Sequence, residues 1–137
     1  MTDLKWDTAG SLTSSLVTTE LDSLADEGES SLFTYDNSSN LALNAQVTVL
    51  LGSITPSTGG ILVLRVLSYD GTNTPDKAGG DKYPLEIESG TGSKVITFTD
   101  VRLYPFSLRL SIINLSGVTL SSADNDVYIR AYSEALV

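Results

Sequence analysis

Residues 41–51 read Leu-Ala-Leu-Asn-Ala-Gln-Val-Thr-Val-Leu-Leu, with an apolar side chain at every odd position. Between these stand Asn44, Gln46 and Thr48, with Ala42 and Leu50 as apolar exceptions. A period of two is the signature of a strand with one face in a core and the other toward water. The cluster Asp36-Asn37-Ser38-Ser39-Asn40 precedes the run, and Thr55-Pro56-Ser57-Thr58-Gly59-Gly60 follows it. Both are turn chemistry: Asn and Asp tolerate or cap tight turns, Pro fixes φ, and Gly allows positive φ. The chain is built from punctuated strands, and no cluster of reactive side chains sits beside them.

The same grammar recurs downstream. Residues 31–35 alternate imperfectly. Residues 60–69 are apolar on both faces apart from Arg65, which suits a sandwich interior or a subunit contact. A polar loop spans 70–81, and Tyr83, Leu85 and Ile87 then alternate with Pro84, Glu86 and Glu88. Pro84 marks the beginning of that strand or a sheet edge. Further strands are expected over 94–100, 106–112 and 127–132, with a hairpin connection at Leu115-Ser116-Gly117-Val118. About eight strands at this spacing predict an all-β fold, an antiparallel β-sandwich of jelly-roll-like type. Residues 1–29 read as an acidic N-terminal arm or short helix, and 30–137 as the sandwich domain. The helix is expected over Thr18–Gly28, where a Thr cap, early acids and a closing Gly coincide. No repeat of solenoid period is present.

Composition removes several functions. The 137 residues include no Cys and no His. Disulfides, thiolate or imidazole catalysis and the usual zinc sites are therefore excluded. Net charge is −9. Residues 1–36 carry Asp3, Asp7, Glu20, Asp22, Asp26, Glu27, Glu29 and Asp36 against one base, Lys5. Such a surface repels phosphate, so nucleic acid is not an expected partner; the acids either keep the segment solvated or meet a basic partner surface. The opening residues lack a basic stretch followed by an apolar core, and the longest fully apolar run is Ile61–Leu64. The expectation is a soluble chain made in the cytoplasm, with no membrane partner. Two glycosylation acceptor patterns, at Asn37 and Asn114, are expected to be chance matches.

Individual candidates each have a plain alternative. Asp70, Asn73 and Asp76 offer oxygen ligands at spacings of three but lack the pattern of a calcium loop, and read as a surface turn. Glu86 and Glu88 form a carboxylate pair of the ordinary kind on a wet strand face. Gly59-Gly60 and Gly90-Thr91-Gly92 lack the Lys of a phosphate loop. No catalytic, cofactor or metal residue is expected. Interface candidates are Trp6, Leu12 and Leu16 on the arm, Arg65 within its apolar strand, and Tyr128, Arg130 and Tyr132 near the end of the chain. Tyr and Arg are enriched where proteins meet, although simple surface exposure explains the last three as well.

Several segments together resemble small virion proteins of tailed bacteriophages. They are Asp36 through Leu43, Gly52 through Gly60, Asp70-Gly71-Thr72-Asn73, the ending Tyr128 through Glu134, and Lys5-Trp6 through Leu24. Residues 77–94 match least. The resemblance implies a head-decoration, or capsid cement, protein: a dimer or trimer that binds the major capsid protein on the outside of the shell and makes no use of catalysis. Two other readings stay open, a tail, fibre or receptor-binding component and a carbohydrate-binding β-sandwich module. The tyrosines Tyr35, Tyr69, Tyr104, Tyr128 and Tyr132 are the aromatic candidates for the latter.

Overall fold

The computed structural model describes residues 4–8, 16–17, 19–39 and 41–136. Eight strands, β1 (Leu4–Thr8), β2 (Phe33–Asp36), β3 (Asn44–Ile54), β4 (Ile61–Tyr69), β5 (Asp81–Glu86), β6 (Gly92–Arg102), β7 (Ser107–Leu115) and β8 (Asp126–Leu136), form two four-stranded antiparallel sheets. The first sheet runs β1-β8-β3-β6 and the second β2-β7-β4-β5. Strand β1 therefore pairs with β8, β2 with β7, β3 with β6 and β4 with β5. The chain is one long hairpin, rolled so that successive pairs fall alternately in the two sheets, which is the jelly-roll sandwich.

Alternation dictates the core. Ala45, Val47, Val49 and Leu51 of β3, Ile96 and Phe98 of β6, and Val127 and Ile129 of β8 share one buried cluster with Leu62, Leu64 and Val66 of β4 and Leu108, Leu110 and Ile112 of β7 from the other sheet. Strand β4 is buried on both faces, as its sequence suggests. Its outer side, Val63, Arg65 and Leu67, is covered by the chain itself. The loop after β4 passes so close that a Cβ on Gly80 would lie 2.6 Å from Leu67 and 2.9 Å from the Val66 carbonyl. The open edges are blunted: Pro84 sits within edge strand β5, and β6 carries two register shifts against β3. Both devices discourage edge-to-edge association.

Five expectations change. Residues 19–28 form successive turns rather than a helix, with Thr18 outside the described residues. Asp22, Leu24 and Gly28 donate only to carbonyls three residues back, and Ser23 and Glu27 instead donate to Ser121 and Asn114. Tertiary bonds tie these turns to the body of the protein, with Leu21 buried beneath them. Residues 115–118 are not a hairpin, because β7 and β8 lie in different sheets and the connection crosses between them. The apolar parity of residues 41–51 breaks at its start: Ala42 is buried while Leu41 and Leu43 are exposed. Phe106, expected to begin a core-facing strand, also points outward. Finally, a strand lies within the N-terminal arm, with Trp6 opposite Glu134 in the backbone register. No helix among the described residues is long and apolar enough to cross a membrane.

Candidate functional site

The rolled hairpin gathers the connections β2–β3, β4–β5 and β6–β7 at one end of the sandwich. There Asn37, fully buried, joins two loops. Its side-chain amide donates to the carbonyls of Ala42 and Tyr104 at 2.9 and 3.0 Å, and its Oδ1 accepts from the Ala42 N–H. Its backbone N–H donates to Phe106, its carbonyl accepts from Leu41, and Leu103 donates to Leu43. Three large apolar side chains project from this frame: Leu41, Leu43 and Phe106 are 57, 60 and 64 % exposed. Leu41 and Phe106 sit at φ of +47° and +75°, a left-handed conformation that costs a side-chain-bearing residue about 1–2 kcal/mol. Strained backbone persists where the surroundings over-determine it, and such places cluster at binding sites. Tyr104 of the same end donates its hydroxyl to Asp81, which with burial pushes that hydroxyl's pKa up.

A second surface is the outer face of the first sheet. Tyr128, Arg130 and Tyr132 of β8 share it with Asn44, Gln46 and Thr48 of β3, in the pairs Tyr132–Asn44, Arg130–Gln46 and Tyr128–Thr48. The structure thus brings these three sequence candidates together: Arg130 is exposed and the two tyrosines are half-buried. Opposite them β6 bulges. Ala45 pairs with Val101 and Val47 with Phe98, so β6 holds one residue more than β3. The bulge puts Asp100 at φ +53° and aims its carboxylate across β3 at the Tyr132 hydroxyl, which donates to Oδ1. Gln46, Thr99, Asp100 and Tyr132 line a hollow of about 310 Å³. Burial, then the bond to Asp100, pushes the Tyr132 hydroxyl up to about 12 from 10.0. The neutral phenol is thus favoured by the fold, and its contribution is intact below pH 10 and lost as pH rises toward 12. Ultraviolet titration should show one tyrosine ionising about there, absent in Tyr132→Phe.

The remaining candidates fall elsewhere. Arg65 is 8 % exposed and turned to internal use. Its Nε and Nη2 donate to the two Glu29 carboxylate oxygens at 3.1 Å, and Nη1 donates to the Lys77 carbonyl. Lys77 and Ser111 complete the shell of Glu29 at 3.3 and 2.7 Å. Burial raises the Glu29 carboxyl pKa, but the bonds from Ser111, Arg65 and Lys77 outweigh it and hold the group below its ordinary 4.5. Leu16 is half-buried against the core and donates its N–H to Val127. The Trp6 side chain and Leu12 lie outside the described residues.

Other motifs resolve into structure. Asp70 accepts from the N–H groups of Thr72 and Asn73 and from the Asn73 amide, each within 2.8 Å, so its oxygens serve the loop itself. Those bonds, led by the Asn73 backbone, lower its pKa. Glu86 and Glu88 are exposed. Among the described residues no group of three acids is placed to hold a metal. Asn37 and Asn114 of the glycosylation patterns are both fully buried; the Asn114 amide donates to Leu24 and Val118. Sequence reasoning missed Asn37, Gln46, Asp100 and the outward Phe106. Asn37 looks like any turn residue, and a bulge leaves no periodic signal.

No family model matches the chain, and no curated protein matches it. Solved structures similar to it include the carbohydrate-binding module TmCBM61 in complex with beta-1,4-galactotriose, at 8 % identity over 96 % of this chain and 87 % of that one, TM-score 0.37. A full particle of Israeli acute paralysis virus is similar at 13 % identity, 98 % and 71 % coverage, TM-score 0.33. The enzymatically active domain of tailspike protein 4 of bacteriophage CBA120 is similar at 11 % identity, 99 % and 19 % coverage, TM-score 0.31. No score reaches 0.5, and none informs the surfaces described above.

Proposed function

We propose that the protein is a non-catalytic virion component that decorates the outside of a tailed-phage capsid, docking on the major capsid protein through its apolar loop end and associating with itself as a dimer or trimer. The observation that carries this reading is the group Leu41, Leu43 and Phe106, held outward on strained backbone by a buried Asn37. Burying such side chains against a partner returns about 2 kcal/mol each before the costs of association. The sequence resemblance to head-decoration proteins supports the same reading. The connections at the opposite end carry Glu20, Asp22, Asp26, Glu27, Glu88, Asp124 and Asp126, while Lys94 there is bonded to the Gly90 carbonyl. That end faces solvent and repels its own kind, so copies spread over a shell instead of stacking. Each bound copy favours the assembled shell by mass action.

The test has two parts. Copy number and position on purified particles, by mass spectrometry and immunogold labelling, should show many copies at symmetry-related shell sites; a few copies at the tail end would replace this reading with the tail component. Particles stripped of the protein should release DNA at a lower temperature and recover on adding it back. Ser at positions 41, 43 and 106 should leave the fold intact and weaken shell binding by about a hundredfold or more, the order expected for several apolar contacts. Equal thermal thresholds, or unchanged binding by that variant, would count against cementing through this end.

A further inference from the structure

We propose that the hollow at the β6 bulge is a binding site for a neutral oligosaccharide chain, with Tyr132 as its apolar floor and Gln46, Thr99 and Asp100 as its polar rim. Three strands converge to build it: β8 gives Tyr132, β3 gives Gln46 from between its neighbours, and β6 gives Thr99 and Asp100. Its volume, about 310 Å³, is that of the smallest ligand pockets. Tyr132 is fixed, because its hydroxyl is bonded to Asp100 and a ring so held binds at little entropic cost. Around it the hydrogen-bonding groups have spare capacity. Among the described residues the Gln46 amide and the Thr99 hydroxyl have no hydrogen-bond partner, and the Asp100 carboxylate bonds through Oδ1. A planar amide that both donates and accepts, a hydroxyl and a carboxylate oxygen, set about an aromatic ring, match a sugar: an apolar C–H face edged with hydroxyls that donate and accept.

The geometry excludes the neighbouring chemistries. An anion in the hollow would meet Asp100, while the exposed Arg130, opposite Gln46 on the same face, is not among the lining residues. A metal would need more oxygen ligands than this rim offers. The platform also continues. Tyr128 lies four residues from Tyr132 on the same face, about 13 Å along the strand, with Thr48 opposite it. That spacing suits a chain of sugars rather than one ring.

The full-length protein would be screened on an array of neutral glycans, with sialylated and sulfated glycans as the contrasting arm. Hits would be followed by titration of 15N-labelled protein. Binding of at least one neutral glycan is expected, with amide shifts centred on Gln46, Thr99, Asp100 and Tyr132. Gln46→Ala, an exposed change that leaves the fold alone, and Tyr132→Ala should each weaken it about tenfold or more, the order of one lost stacking or bidentate contact. Tyr132→Phe, which keeps the ring, should lose less. No neutral binder on the array, binding confined to the anionic arm, or binding indifferent to Gln46→Ala would each overturn the site. The same variants should dock on shells as the parent does, so this site and the apolar end fail or stand separately.

Discussion

Glu29→Ala should destabilise the protein by about 4 kcal/mol, the cost of breaking a buried ion pair and leaving one charge behind. Arg65 is the charge left behind. Its side chain is 9 % exposed, and without Glu29 its guanidinium keeps only the Lys77 carbonyl among the described residues. Lys77 and the Ser111 hydroxyl lose their acceptor as well. The loop that carries Lys77 over the outer face of β4 should then loosen. Glu29→Gln, which keeps an acceptor and the shape, should cost roughly half as much. Urea midpoints measure both, and a cost of less than about 1 kcal/mol for the alanine variant would show that the pair is solvated and merely decorative. The pH dependence has a fixed sign. Glu29 is held below its ordinary 4.5, so its contribution is present above that value and lost as pH falls through the folded-state pKa. The parent should therefore lose stability below about pH 4.5 more steeply than Glu29→Gln does.

Asn37→Ala should cost about 3 kcal/mol and release the apolar end. The substitution removes three side-chain hydrogen bonds and strands the carbonyls of Ala42 and Tyr104 and the N–H of Ala42, one unsatisfied buried group costing about 1–3 kcal/mol. Asn37→Asp keeps the acceptor but loses both donors and buries a charge, so it should be no better tolerated. Leu41 and Phe106 keep their bonds to the Asn37 backbone, but lose the fixing of their neighbours Ala42 and Tyr104 by its side chain. Their positive φ should relax once the Asn37 frame is gone, and hydrogen exchange over 37–43 and 103–106 should rise well before the sheets open. A variant that stays folded with unchanged exchange in both loops would show that the frame does not depend on the side chain. If the frame relaxes, shell binding should fall with it even though all three apolar side chains remain.

Asn114 and Asn125 play the same part at the other end. The Asn125 amide donates to Asp22 and to the Ser121 carbonyl, and its Oδ1 accepts from Gly52. In the sequence all three asparagines look like turn residues, because local chemistry is the same whether a turn faces water or is sealed by a neighbour. Arg65 misleads for a related reason. A cation in an apolar strand reads as a contact for another molecule, yet its partner is 36 residues away in the same chain. Leu41 and Leu43 continue the parity of β3 on paper, but the chain leaves the sheet at Asn44 and the alternation no longer points anywhere in particular.

The order of residues by itself determined that this is a two-faced β protein without thiol or imidazole chemistry, because side-chain period and residue inventory are local properties that no packing can alter. The pairing of strands into β1-β8-β3-β6 and β2-β7-β4-β5, the turning of residues 19–28 away from a helix, and the choice of which asparagines, leucines and tyrosines face inward were decided only in three dimensions. Each of those outcomes rests on hydrogen bonds and burial between segments far apart in the chain, and their energies exist only once the sheets have closed on one another.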